Sequence, residues 1–166
     1  VTVLTQAELK EIVHYDPDTG LFTWAKGRKK AALGTPAGRP RKPDGRMMVG
    51  VLGSKYLGSR LAWLYMTGQW PEKLVDHRDR DLTNDRWINL RLATHSENSH
   101  NASLRPDNTS GVKGVWYAKS VKLWVAEIAY QGKSKKLGYF KTKELAVEFM
   151  GLAREMIHGE FACHGA

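Results

Sequence analysis

The chain has 166 residues, a formal charge of +9 and a pI near 9.7. That balance favours a polyanionic partner, and the length suits one domain or two small ones. A single cysteine, Cys163, excludes an internal disulfide and cysteine-rich zinc sites. No apolar run approaches the roughly 20 residues that span a bilayer. The N-terminal Val-Thr-Val-Leu-Thr lacks the basic start and apolar core of a signal peptide. A reducing cytoplasm, with no membrane partner, is the expected setting.

In chain order, Thr5-Gln-Ala-Glu8 is a capping box that predicts a helix over 6–14, with Leu4 and Leu9 placed as a hydrophobic staple. Asp16-Pro-Asp-Thr-Gly20 reads as a turn, and Leu21–Trp24 as a strand. Residues 26–46 hold Lys26, Arg28, Lys29, Lys30, Arg39, Arg41, Lys42 and Arg46 against Asp44 alone, which is +7 of the total +9. Three prolines and four glycines are interleaved, so this stretch is expected not to fold by itself. It reads as a basic arm for a phosphate backbone, with Lys29, Lys30, Arg39, Arg41 and Lys42 as its contacts.

Met47–Leu52 and Lys55–Leu57 flank Gly53-Ser54, predicting a type II′ hairpin. Ser59 is placed to cap a helix with Leu61, Leu64 and Tyr65 on one face, ended by Gly68 and Pro71. Leu74–Asp76 reads as a strand, 78–88 as a polar loop and Asn89–Ala93 as the returning strand. Thr94-His-Ser-Glu97 is a second capping box, so a helix should start at His95. Residues 103–109 read as a linker. Beyond it, Gly114–Ala118, Leu123–Tyr130 and Ser134–Phe140 read as strands. Thr142–Ile157 reads as a helix with Ala146, Phe149, Ala153 and Ile157 on its inner stripe. The expected domains are 1–102, carrying the arm, and 110–166, in an overall α+β class.

The chemistry concentrates in residues 75–98. Asp76 and the amide of Asn98 offer oxygen donors that suit a hard divalent cation. His77 can deprotonate water near neutral pH. These are the parts of a metal-assisted phosphodiester hydrolase. Adjacent strand residues face opposite sides, so Asp76 and His77 can share a site only if the strand ends or kinks at His77. Asp79, Asp81 and Asp85 read as loop charges that balance Arg78, Arg80 and Arg86. His95 and His100 read as surface cap or DNA-contact positions.

Asn89 follows His77 by twelve residues and Asn98 follows it by twenty-one. With Asp76 directly before the histidine, this pattern resembles the HNH nuclease family, in its phage-type, homing-endonuclease-like branch. Tyr15-Asp-Pro-Asp-Thr-Gly-Leu-Phe-Thr-Trp24 and Arg60-Leu-Ala-Trp-Leu64 support the resemblance. It implies a strand-strand-helix metal finger (the ββα-metal, or His-Me, finger). It also implies one Mg²⁺ or Mn²⁺ ion on Asp76 and Asn98, and His77 as general base. Asn89 would orient the loop and Arg91 would reach a phosphate. The family often has Gly at the position of Arg80 and Asp-Asn at Asn84-Asp85, and His at the position of Ser59.

Ser110-Gly-Val-Lys-Gly-Val-Trp116, Trp124-Val-Ala-Glu-Ile128 and Leu137-Gly-Tyr-Phe140 resemble the plant ethylene-response-factor (APETALA-type) DNA-binding domain. Its three-stranded antiparallel sheet, packed on one helix, lies in the major groove. The match implies a DNA face with Lys113, Trp116, Ala118, Glu127, Ala129, Ser134 and Lys136, while alternation turns Val125 outward. Several positions that carry arginine in the plant domains are Ala118, Ala129 and Ser134 here, so fewer bidentate base contacts are expected. The implied protein is a phage-encoded, homing-like endonuclease of double-stranded DNA. It would leave 5′-phosphate and 3′-hydroxyl ends, act as a nicking monomer, and need no protein partner. The alternative is a non-catalytic DNA-binding protein with a degenerate nuclease domain.

Overall fold

Thr5 caps the first helix reciprocally. Its hydroxyl accepts from the Glu8 N–H at 3.3 Å, and the Glu8 carboxylate accepts from the Thr5 N–H at 2.9 Å. In the computed structural model this helix, α1, is Gln6–Ile12. It ends before residue 14 because Val13 and Tyr15 alternate inward as β1, Val13–Tyr15. The structure describes residues 3–27, 31–101, 104, 108, 110–130 and 132–162, without the side chains of His100 and Glu160. Two units are present, Val1–Thr94 and His95–Ala166. The division falls ahead of the helix at His95, and most of 103–109 lies outside the described residues.

In the first unit β1 pairs antiparallel with β2, Phe22–Trp24, with Tyr15 opposite Phe22. The turn between them is held by Asp16, whose carboxylate accepts from the Asp18 N–H at 2.9 Å. The basic segment is not a free arm. β3, Arg39–Pro40, pairs with β4, Met47–Val51, and β4 pairs with β5, Ser54–Leu57. Its tip is closed by Arg41 N–H to the Arg46 carbonyl at 2.8 Å and by an Arg41–Asp44 ion pair. The carboxyl of Asp44 is held down at about 2 by that guanidinium. The segment folds because its neighbours supply the apolar surface: Ala37 is buried beside Val49 and Val51. Arg39, Arg41 and Lys42 are exposed on this hairpin, whereas Lys29 and Lys30 lie outside the described residues.

The β4–β5 turn differs from the type II′ expectation. Val51 already pairs with Ser54, so the central residues are Leu52 and Gly53, at φ 49° and 81°. Two positive φ values make it type I′, the other hairpin turn whose twist matches the strands. α2, Gly58–Thr67, begins before Ser59. Ser59 is buried in its first turn, and the N-cap Leu57 contributes no side-chain bond. The helix buries Leu61 and Leu64 against Leu9, Val13, Tyr15, Phe22 and Leu90. β6, Leu74–His77, then pairs antiparallel with β7, Leu90–Ala93, after a single 3₁₀ turn at Trp87–Asn89.

The second unit opens with α3, His95–Asn101, which starts where the capping box places it. β8, Val115–Ala118, β9, Leu123–Tyr130, and β10, Lys133–Phe140, form an antiparallel sheet in the order β10-β9-β8. α4, Lys143–His158, is capped by the Thr142 hydroxyl and buries Ala146 and Met150 against Val115, Ala126 and Ile128. Four side chains differ from expectation, one of them Ile157, which is exposed rather than on the inner stripe. Phe149 is 45% exposed, edging Phe140, because Met150 takes the inner position. Ala118 is buried at the end of β8. Val125, although outside the helix-facing cluster, is fully buried because Trp116 and Tyr139 flank it on the neighbouring strands. The whole is a mixed α+β chain of small antiparallel sheets. Among the described residues no helix is long and apolar enough to cross a membrane.

Candidate functional site

β6 ends at His77, the condition that alternation imposes on a shared Asp76/His77 site. The chain turns at once: the Arg78 N–H donates to the Asn89 carbonyl at 2.9 Å and the Arg80 N–H to the His77 carbonyl at 3.0 Å. Arg80 takes φ 69° there, a left-handed turn that accounts for glycine being usual at this position in the resembled family. The two site residues take separate partners, as opposite faces require. Asp76 stands across the ladder from Arg91 and accepts from its Nε at 2.9 Å, both side chains buried. His77 Nε2 lies 2.9 Å from Asp85 Oδ1, again with both side chains buried.

Asn89 ties the loop together. Its Oδ1 accepts from the Asp79 N–H at 3.0 Å, and its Nδ2 donates to Asp79 Oδ1 at 2.9 Å and to the Asn84 carbonyl at 2.8 Å. Burial alone would raise the Asp79 carboxyl, but the bonds from Asn84 and Asn89 bring it below its ordinary value. Asp81 accepts from the Thr83 backbone and hydroxyl.

Three expectations change. Asp85 is not a solvated loop charge; it is 3% exposed and bonded to His77. Its carboxyl is pushed up by burial, against the pull of His77. Arg86 does not balance loop acids alone, since its Nε donates to the Asp18 carbonyl at 2.8 Å. Arg91, expected at a phosphate, is buried beside Asp76. Asp85 escaped the sequence reading although one signal pointed to it: it stands where the family pattern departs from Asp-Asn.

The remaining candidates lie elsewhere. Asn98 is half-buried on α3, in the second unit. In the first unit Arg39, Arg41 and Lys55 line a groove of about 700 Å³ with Trp24 and Pro36. In the second, Lys113, Trp116, Glu127 and Ser134 line a cleft of about 670 Å³ with His95 and Arg154. Glu127 there accepts from the Ser134 hydroxyl, and Lys136 Nζ donates to the Tyr139 hydroxyl at 2.8 Å. Among the described residues no three His, Cys, Asp or Glu side chains converge as a metal cage.

A profile described as HNH endonuclease matches residues 56–100, from β5 through the β6–β7 hairpin into α3. Protein 3.8 of Escherichia phage T7 is 36% identical over 90 residues, covering 53% of this chain and 72% of that protein. The chain carries an HNH endonuclease family domain. A mimivirus relative, from Acanthamoeba polyphaga mimivirus and described as an uncharacterized HNH endonuclease, is 32% identical over 112 residues. That match covers 67% of this chain but only 57% of the relative. No solved structure matches the chain significantly. The HNH segment therefore contains Asp76, His77, Asn89, Arg91 and Asn98, and also Asp85.

Proposed function

We propose that this HNH protein is a metal-dependent endonuclease that hydrolyses phosphodiester bonds of double-stranded DNA. The observation that carries the reading is the set Asp76, His77, Asn89 and Asn98, complete within the matched segment, with His77 at the end of β6. His77 is the general base that removes a proton from the attacking water, an effect worth typically ~10²–10⁴-fold. Asn89 holds the 79–89 loop, and Arg91 sets the position of Asp76 through their ion pair.

The donor chemistry fits a magnesium-type ion, which keeps several waters and needs only one or two protein oxygens. Asp76 and Asn98 would hold it. A carboxylate has about four lone-pair sites, so the bond from Arg91 is compatible with a cation on Asp76. When bound, such an ion supplies charge for the developing phosphorane and the leaving oxygen. One base and one ion cut one strand at a time, so a monomer nicks, leaving 5′-phosphate and 3′-hydroxyl ends. The phage and mimivirus relatives favour a viral setting, and the family resemblance adds a homing-like role inside a host cell. Incubation with supercoiled plasmid should give open circles with Mg²⁺ or Mn²⁺ and none with EDTA. Binding without cleavage in every ion would select the non-catalytic DNA-binding alternative.

The C-terminal unit is read as an ethylene-response-factor-type docking module. Lys113, Trp116, Glu127 and Lys136 lie on its DNA face, and the basic hairpin with Arg39, Arg41 and Lys42 adds phosphate contacts. Each phosphate contact contributes about −0.9 to the slope of log affinity against log salt. Replacing Lys113 and Lys136 with alanine should therefore make the slope shallower by about 1.8, measured by anisotropy from low to moderate salt. An unchanged slope removes both residues from the interface.

A further inference from the structure

We propose that Asp85 is the positioning residue that fixes the tautomer and orientation of His77. The inference rests on the reading of His77 as the general base. The pair is short and dry: Nε2 to Oδ1 is 2.9 Å, and the two side chains are 3% and 4% exposed. Around it the fold builds a mould from two distant stretches of sequence. The Tyr15 hydroxyl donates to the Asp85 carbonyl at 2.6 Å. The Trp87 N–H donates to the Pro17 carbonyl at 3.0 Å, and Arg86 grips Asp18. A Cβ on Gly20 would stand 2.5 Å from the Arg86 nitrogen, and one on Gly58 would collide with Asp85 Oδ2. Only glycine permits either approach. The Tyr15–Gly20 motif touches no expected ligand, and its role becomes clear here, since it locks the backbone that carries Asp85. Gly58 also places the carboxylate against the first turn of α2, whose N-terminus favours negative charge.

The chemistry follows from donor and acceptor roles. A carboxylate only accepts, so the proton between the two groups sits on Nε2, and Nδ1 is the basic nitrogen. In the hydrolytic step Nδ1 takes a proton from water, and the water oxygen bonds to phosphorus. The bond from phosphorus to O3′ breaks, and O3′ takes a proton from solvent. The imidazolium faces Asp85 in a low-dielectric setting, where such a pair is stronger than in water. It then returns its proton to solvent. The arrangement is the base-and-orienter logic of nucleophilic enzymes applied to a water nucleophile.

The test is Asp85→Ala, which removes the acceptor, beside Asp85→Asn, which carries the residue the family often has here and keeps an oxygen to accept from Nε2. At a temperature where both variants are folded, DNA affinity should stay close to wild type, while the single-turnover cleavage rate falls by about 10²–10⁴-fold in Asp85→Ala and recovers most of that loss in Asp85→Asn. A purely structural role for Asp85 would leave the rate of folded Asp85→Ala near wild type. In ¹⁵N-labelled wild-type protein, long-range ¹H–¹⁵N correlation should show His77 protonated on Nε2, and Asp85→Ala should show a mixture of tautomers. Cleavage by Asp85→Ala within threefold of wild type, or an Nδ1–H tautomer in the wild type, overturns the proposal. A wild-type protein that binds DNA and never cuts it sinks the nuclease reading, and the catalytic role of the pair with it. The tautomer then still decides whether Asp85 sets the ring.

Discussion

Replacing His77 with alanine is expected to remove strand cleavage while leaving DNA affinity nearly unchanged. On the proposed nuclease reading the base acts in the chemical step, so its loss should cost about 10²–10⁴-fold, whereas affinity would come from phosphate contacts elsewhere. The structure adds a second consequence. Alanine strips the buried Asp85 carboxylate of its imidazole partner. An unsatisfied buried polar group costs about 1–3 kcal/mol, more if it is charged. The alanine protein should therefore also unfold earlier. His77→Gln separates the two effects, because its amide can still donate toward Asp85 but cannot take a proton from water near neutral pH. It should be inactive and more stable than the alanine protein. Plasmid nicking over a time course, thermal unfolding and anisotropy on all three proteins check this. Wild-type cleavage by either variant removes His77 from the chemistry.

Much of the local structure is legible in the chain because local rules govern it. A reciprocal capping box starts α1, α3 begins at the residue the Thr94–Glu97 pattern predicts, and alternation marks the strands of both units. The departures have a common cause in contacts between distant segments. Val13–Tyr15 leaves the helical pattern because it pairs with Phe22–Trp24. The basic segment looks unable to fold until β4 is placed beside it. Val125 is outward by period, yet buried by aromatic residues on two other strands. The site shows the same division. The candidates Asp76, His77, Asn89 and Asn98 come from spacing and residue type. Asp85 is hidden among loop acids, and only Tyr15, Gly20 and Gly58 together reveal why it is drawn inside.

Asp76→Ala should be the most disruptive single change at the site, for a reason that precedes any metal. Asp76 and Arg91 are directly opposed in the β6–β7 ladder, 2.9 Å apart, and only 7% and 5% of their side chains are exposed. Removing one partner of a buried ion pair leaves a charge in a poorly solvated place, at a cost of about 3–5 kcal/mol. Other groups near Arg91 will absorb part of that cost. A net stability of about 5–15 kcal/mol is typical of a domain, so the loss is a large fraction of it. Loss of cleavage in Asp76→Ala is therefore ambiguous unless folding is measured beside it. Asp76→Asn keeps an oxygen for the Arg91 guanidinium and should lose less stability. It should nevertheless bind Mn²⁺ more weakly, since an amide oxygen holds a divalent ion less strongly than an anionic one. The double change Asp76→Leu with Arg91→Met replaces the pair by apolar groups. It should recover most of the stability lost in Asp76→Ala and none of the cleavage. Denaturant unfolding and Mn²⁺ calorimetry on these proteins separate the two roles. If Asp76→Ala unfolds at the wild-type midpoint, the ion pair is not structural. If Asp76→Asn binds Mn²⁺ as tightly as wild type, Asp76 does not hold the metal.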